Sequence, residues 1–164
     1  MQKHDLKNKL EKAVVNVGIG RFSTQPNFED KFVPEIEREL SSITGQKPSL
    51  RSAQKSIAGF KLRQGTVVGL KTTLRGKRMD SMVSKIVNVA LPRVRDFRGI
   101  DTKAIDKNGN LNIGLKDHLV FPEIVPEHSK VNFGMQITLV PKFPIKENAA
   151  AIEFYKKIGV PFKK

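Results

Sequence analysis

Apolar residues along this chain follow two different spacings. Ala13-Val14-Val15-Asn16-Val17-Gly18-Ile19 is short and β-branched, the pattern of a strand running into a glycine turn, and Asn16 is its one polar interior residue. From Asn27 to Ile43, Phe28, Phe32, Ile36, Leu40 and Ile43 recur every three or four positions, which predicts an amphipathic helix stopped by Gly45. A turn at Thr44-Gly45-Gln46-Lys47-Pro48 then leads to a short extended piece, Ser49 to Ser52, and to a long polar loop over 53–66. Val67 to Arg75 reads as another strand. Met79, Met82, Val83, Ile86, Val87 and Ala90 predict a second helix that ends before Pro92. The two strand-helix passes look like related half-units, without a repeat at the level of residues.

Beyond Pro92 the pattern predicts a basic connector through Gly99, a turn at Asn108-Gly109, a strand over Leu111 to Leu115, a strand from Val131 to Val140, and a last helix from Glu147 to Ile158 before Gly159 and Pro161. The interleaved elements predict an α+β fold, a single domain over 1–164, with a mainly antiparallel sheet and helices on one of its faces. With 164 residues and 38% hydrophobic content, one core is expected. On the strand from Val67, alternation puts Lys71, Thr73 and Arg75 on one face and Leu70, Thr72 and Leu74 on the other. The first set makes a polar face available to a ligand.

Charge says what kind of ligand. Thirty Lys and Arg against sixteen Asp and Glu leave a net charge of +14, and such self-repulsion is usually kept for a polyanionic partner. No acid occurs between Glu39 and Asp80, whereas Lys47, Arg51, Lys55, Lys61, Arg63, Lys71, Arg75, Lys77 and Arg78 all do. A merely solvated surface mixes signs; this stretch points instead to phosphate neutralisation. The same stretch carries Gln46, Ser52, Gln54, Ser56, Gln64, Thr72 and Thr73, donors suited to sugar hydroxyls and base edges. A sheet bearing such groups matches the shallow minor groove of RNA, with its 2′-hydroxyls and phosphates. A membrane partner is not expected, because no apolar run approaches the roughly 18 residues of a spanning helix and Met1-Gln2-Lys3-His4-Asp5 opens no signal peptide. Absence of cysteine excludes disulfides and thiolate chemistry and fits the cytosol.

Leu91-Pro92-Arg93-Val94-Arg95-Asp96-Phe97-Arg98-Gly99 forms a second basic cluster, in which Arg93 and Arg98 are candidate phosphate contacts. Asp96 and Phe97 have an equally good structural reading, an internal ion pair and an anchor to the core. Gly18-Ile19-Gly20 lacks the third glycine of a dinucleotide fingerprint, and Gly76-Lys77-Arg78 lacks the frame of a phosphate loop. His4, His118 and His128 have no metal-ligand spacing. A nuclease using Asp117, Glu123 and Glu127 is the enzyme alternative, disfavoured because the basic stretch has no acid to hold magnesium near bound phosphates. A DNA-binding protein or general nucleic-acid chaperone shares the charge without the shape preference. No catalysis, cofactor, metal or small-molecule substrate is expected.

Seven segments in one order carry a resemblance: Val14 to Gly20, Ile43 to Pro48, Lys55 to Arg63, Thr73 to Met79, Ala90 to Gly99, Phe121 to Ile124, and Pro161 to Lys164. Together they resemble the family of bacterial large-subunit ribosomal protein L five, uL-five. The resemblance implies a protein that binds 5S rRNA, helps attach it to the large subunit in the central protuberance beside other ribosomal proteins, and also contacts 23S rRNA. It implies recognition by the polar sheet face through Asn16, Gln46 and Thr73, flanked by Lys47, Lys71 and Arg75. It also implies that the loop carrying Ser56, Gly59, Phe60, Lys61 and Arg63 reaches the P-site tRNA, and that a small-subunit head protein, S thirteen, is touched across an intersubunit bridge. Phe60 either stacks on an exposed base or folds back to pin the loop. Bacterial members commonly begin with an extra helix of about twenty residues, an ordinary helix length. Only Met1 to Glu11 stand before the first strand here, so contacts of such a leader are expected to be missing. Phe143 to Ala151 also departs from the family's usual run.

Overall fold

A computed structural model describes residues 9–23 and 28–163. The start of the chain, the expected helix start at Asn27, and Lys164 lie outside the described residues. Strand β1, Leu10–Gly18, begins three residues before the expected Ala13. A register shift between Leu10 and Lys12 explains this, because the bulge turns Leu10 back into the core although two charged residues separate it from Ala13. Helix α1, Val33–Thr44, is entered through a π-helical turn, Phe28–Phe32. The wider turn spaces the buried Phe28 and Val33 five apart, so Val33 takes the core position expected for Phe32. Gly45 ends α1 at φ 67°, its N–H donating to the Ser41 carbonyl.

Strands β2, Ser49–Ser52, and β3, Val67–Leu74, flank the long loop. Helix α2, Lys77–Lys85, does not stop before Pro92: it runs through a π turn, Ile86–Ala90, into a short helical segment, Leu91–Arg93. The Leu91 N–H already bonds five residues back, to Ile86, so proline's missing donor falls where the regular ladder has been interrupted. β4 is Leu111–Leu115 and β5 is Met135–Pro141. The strand expected from Val131 therefore starts four residues late. Val131 and Phe133 are buried, but they belong to a loop: the Phe133 carbonyl accepts from the His118 N–H, and its ring stacks on His118 at 3.9 Å. Alternating burial there comes from loop packing rather than from a ladder. Helix α3, Asn148–Ile158, ends at Gly159 with φ 99°.

All pairings between these five strands are antiparallel, in the order β2-β3-β1-β5-β4. One face carries Ala13, Val15, Val17, Leu70, Leu74, Leu111, Ile113, Ile137 and Leu139, all buried with Ile36, Leu40 and Ile43 of α1 and Met79, Met82 and Val83 of α2. This is the α+β arrangement that the pattern predicts. Tyr155 fixes α3: its buried hydroxyl lies 2.7 Å from the Gly109 carbonyl and 3.1 Å from that of Leu139. Burial pushes the phenol pKa well above its ordinary value.

Candidate nucleic-acid interface

The opposite face of the sheet is where the polar side chains collect, and strand register arranges them in rows. Asn16 stands between Lys71 and Gln136; Ser49 continues that row beyond Lys71, and Gly114 ends it beyond Gln136. In the next row Val14 lies between Thr73 and Thr138, with Asn112 beyond. Lys71 and Thr73 thus share a face with Asn16, as alternation predicts, while Leu70, Thr72 and Leu74 are buried on the other. Asn16 is exposed, and its amide has no hydrogen-bond partner among the described residues.

Asn112, Gln136 and Thr138 were not singled out by sequence, although they extend the face across two more strands. The Asn112 Oδ1 accepts from Gln136 Nε2 at 3.1 Å and Thr138 Oγ1 at 2.7 Å, which holds the cluster in one geometry. Their signal was alternation in Met135-Gln136-Ile137-Thr138-Leu139 and Leu111-Asn112-Ile113, but only strand order brings them beside Asn16.

Gln46 lies just past α1, half-buried. Its Nε2 donates to the Thr73 carbonyl at 3.3 Å, and its Oε1 accepts from Arg78 Nη1 at 3.3 Å. The side chain braces the end of β3 and aims a cation. The acid-free stretch gains counter-ions in space that its sequence lacks: Lys47 Nζ is 3.2 Å from Glu37, and Arg75 Nη2 is 3.9 Å from Glu11. Lys47, Arg75 and Glu11 are exposed and Glu37 is half-buried, so both pairs are open to water and weak enough to be exchanged for phosphate. Arg51, Lys55, Lys61, Arg63 and Lys71 have no ion pair among the described residues.

The 53–66 loop is more ordered than a polar stretch suggests. Backbone bonds from Ala53 to Thr66 and from Ile57 to Leu62 make it a closed excursion, and Ser56 Oγ accepts from the Gln64 N–H at 2.9 Å. Gly59 lies in a 3-10 turn, Ala58–Phe60, and Lys61 follows at φ 50°. Phe60 is 74% exposed, so it does not fold back as an anchor; the backbone bonds already close the loop. Lys55, Lys61 and Arg63 stand exposed around it.

At the far margin the connector carries exposed Arg93, Arg95 and Arg98. Phe97 packs against the core, whereas Asp96, at φ 55°, forms no ion pair with these arginines. Between connector and β4 runs a groove of about 460 Å³ lined by Arg95, Arg98, Asn112, Gly114 and Lys116 among others. Two of the three candidate nuclease acids are engaged elsewhere, and Glu127 is exposed. Glu123 pairs with Lys85 at 2.5 Å, and Asp117 accepts from Asn132 at 2.8 Å. Buried His118 lies 3.1 Å from Glu39 and 3.0 Å from Ser129, a structural placement, while His4 lies outside the described residues. Among the described residues no three such side chains are grouped to hold a metal, and no helix is long and apolar enough to cross a membrane.

Two family models match the chain: Ribosomal protein L5 over residues 7–63, and the C-terminus of the ribosomal L5 family over residues 67–162. The chain belongs to the ribosomal L5 family. It is 43% identical to large ribosomal subunit protein uL5 of Halothermothrix orenii, across 99% of this chain and 90% of that protein. Identity to the uL5 proteins of Fusobacterium nucleatum and Ruminiclostridium cellulolyticum is 45% and 47%, across 100% and 94% of this chain and 89% and 82% of theirs. These relatives are structural proteins of the large ribosomal subunit rather than enzymes, and in bacteria that subunit is cytoplasmic. Membership therefore makes this chain a structural constituent of the large subunit.

Proposed function

We propose that this chain, folding as a single domain, binds 5S rRNA through the open face of its sheet and helps attach it to the large subunit in the central protuberance. The observation that carries the reading is the row Ser49, Lys71, Asn16, Gln136, in which an unpaired amide and an unpaired ammonium stand side by side on a rigid surface. Asn16, Thr73 and Gln136 supply hydrogen bonds for 2′-hydroxyls and base edges; Lys71, Arg75 and Lys47 neutralise phosphate. Gln46 contributes by bracing Thr73 and Arg78. Arg93 and Arg98 take other rRNA phosphates, and 23S rRNA is a further partner. The closed loop with Ser56, Gly59, Phe60, Lys61 and Arg63 offers the P-site tRNA a bare aromatic ring among cations. A small-subunit head protein, S thirteen, and other proteins of the central protuberance complete the set of partners.

Titration of 5S rRNA at fixed salt, with duplex DNA as competitor, tests the reading. Selective retention of 5S rRNA is expected, with Asn16→Ala and Thr73→Ala each weakening it by roughly 1–2 kcal/mol. Equal competition by DNA would reassign the chain as a general nucleic-acid binder, and wild-type affinity in both variants would remove the sheet face from the account.

A further inference from the structure

Among the described residues three glycines sit within strands, Gly18, Gly69 and Gly114. Glycine weakens a strand, having no side chain to pack and the most backbone freedom to lose. At Gly69 the fold requires it, because a Cβ would stand 2.9 Å from the Val17 carbonyl oxygen. Gly18 and Gly114 have no such reason. Neither has a positive φ, and a Cβ at either would meet nothing within 4 Å. Both are exposed on the open face of the sheet.

Their placement supplies the reason that packing does not. Gly114 pairs with Gln136, Gln136 with Asn16, and Gly18 lies two residues beyond Asn16. Bare backbone therefore brackets two projecting amides, with the glycines roughly 12 Å apart by strand spacing and rise. Gly114 also lines the groove that holds Arg95, Arg98, Lys116 and Lys163 together with Asp96 and Asp101, so cations outnumber acids beside one bare point.

We propose that Gly18 and Gly114 are contact windows, where the two sugar-phosphate strands of an RNA helix rest on bare sheet while Asn16 and Gln136 enter the minor groove between them. The proposal rests on the RNA-binding reading above. It adds Gly18, Gly114, Arg95 and Lys116 to the interface, and it commits the ligand to a double-stranded segment, since the two windows serve two backbones. Any side chain at a window lifts the RNA away from the donors beside it.

Gly18→Val and Gly114→Val, with the matching alanine variants, are tested by thermal unfolding and by 5S rRNA titration of the full chain. Valine suits strands, so melting temperatures at or above wild type are expected, with affinity reduced at least tenfold by Val and less by Ala. Val variants that fold and bind like wild type would overturn the inference. If a Val variant does not fold, its Ala counterpart decides: a folded protein with weakened binding supports the window, and unchanged binding refutes it. Wild-type protein that ignores 5S rRNA would remove the 5S reading and this inference together, whereas wild-type binding with indifferent glycine variants removes the inference alone.

Discussion

Single side chains here divide into those left free on the open sheet face and those that serve the fold, and residue type does not separate them. Gln46 and Asn16 are both amides beside the same strands. Asn16 has no partner among the described residues, whereas Gln46 is occupied at both ends by Thr73 and Arg78. Gln46→Ala should therefore cost about 1 kcal/mol of folding stability as well as RNA affinity, and denaturant unfolding will show the first effect without RNA present. Asn16→Ala should leave the unfolding curve unchanged. Lys71 makes the same point for charge: if it meets a phosphate, Lys71→Ala lowers the slope of log affinity against log salt by about 0.7–0.9. Tyr155→Phe strips a buried donor from two carbonyls and should destabilise by about 1–3 kcal/mol, read as a lower denaturation midpoint.

At the scale of elements, turns and loops hold what periodicity does not describe. In the turn before β4, Asp106 accepts from the Asn108 and Asn110 N–H groups and the Asn110 amide, each at 2.7–2.8 Å. Desolvation acts to raise its pKa, but these hydrogen bonds outweigh it and hold the carboxyl below its ordinary value of 3.8. With the folded-state pKa depressed, the turn's contribution is complete above that ordinary value and is lost as pH falls through the folded one. Asp106→Asn should flatten this acid-side loss, as thermal melts between pH 6 and pH 2 will reveal. The 53–66 loop is closed by its own backbone bonds rather than by β-sheet side chains. Arg63→Ala should accordingly leave 5S rRNA affinity nearly intact while weakening a tRNA contact, measured on assembled subunits; a large loss of 5S affinity would place the loop in the 5S interface instead. Helix α2 and strand β5 show why sequence patterns misplace ends. Proline reads as a stop unless a π turn has already broken the ladder, and alternating burial reads as a strand even where a loop supplies it.

For the whole molecule, a net charge of +14 opposes compaction and favours RNA. Added salt should thus raise the melting temperature of the free protein while it lowers RNA affinity. The order β2-β3-β1-β5-β4 gathers polar residues from distant parts of the chain onto one face. The sequence by itself determined the polyanionic partner, the two faces of β3 and most of the helices, because charge and periodicity are local properties of the chain. It also revealed Asn16, Lys71 and Thr73 as candidates. Only tertiary structure decided that Gln136, Thr138 and Asn112 stand with them, that Glu37 and Glu11 approach an acid-free stretch, and that Gly18 and Gly114 are bare without a folding reason. Strand order and register depend on contacts between residues far apart in the chain, and no pattern of neighbours encodes them.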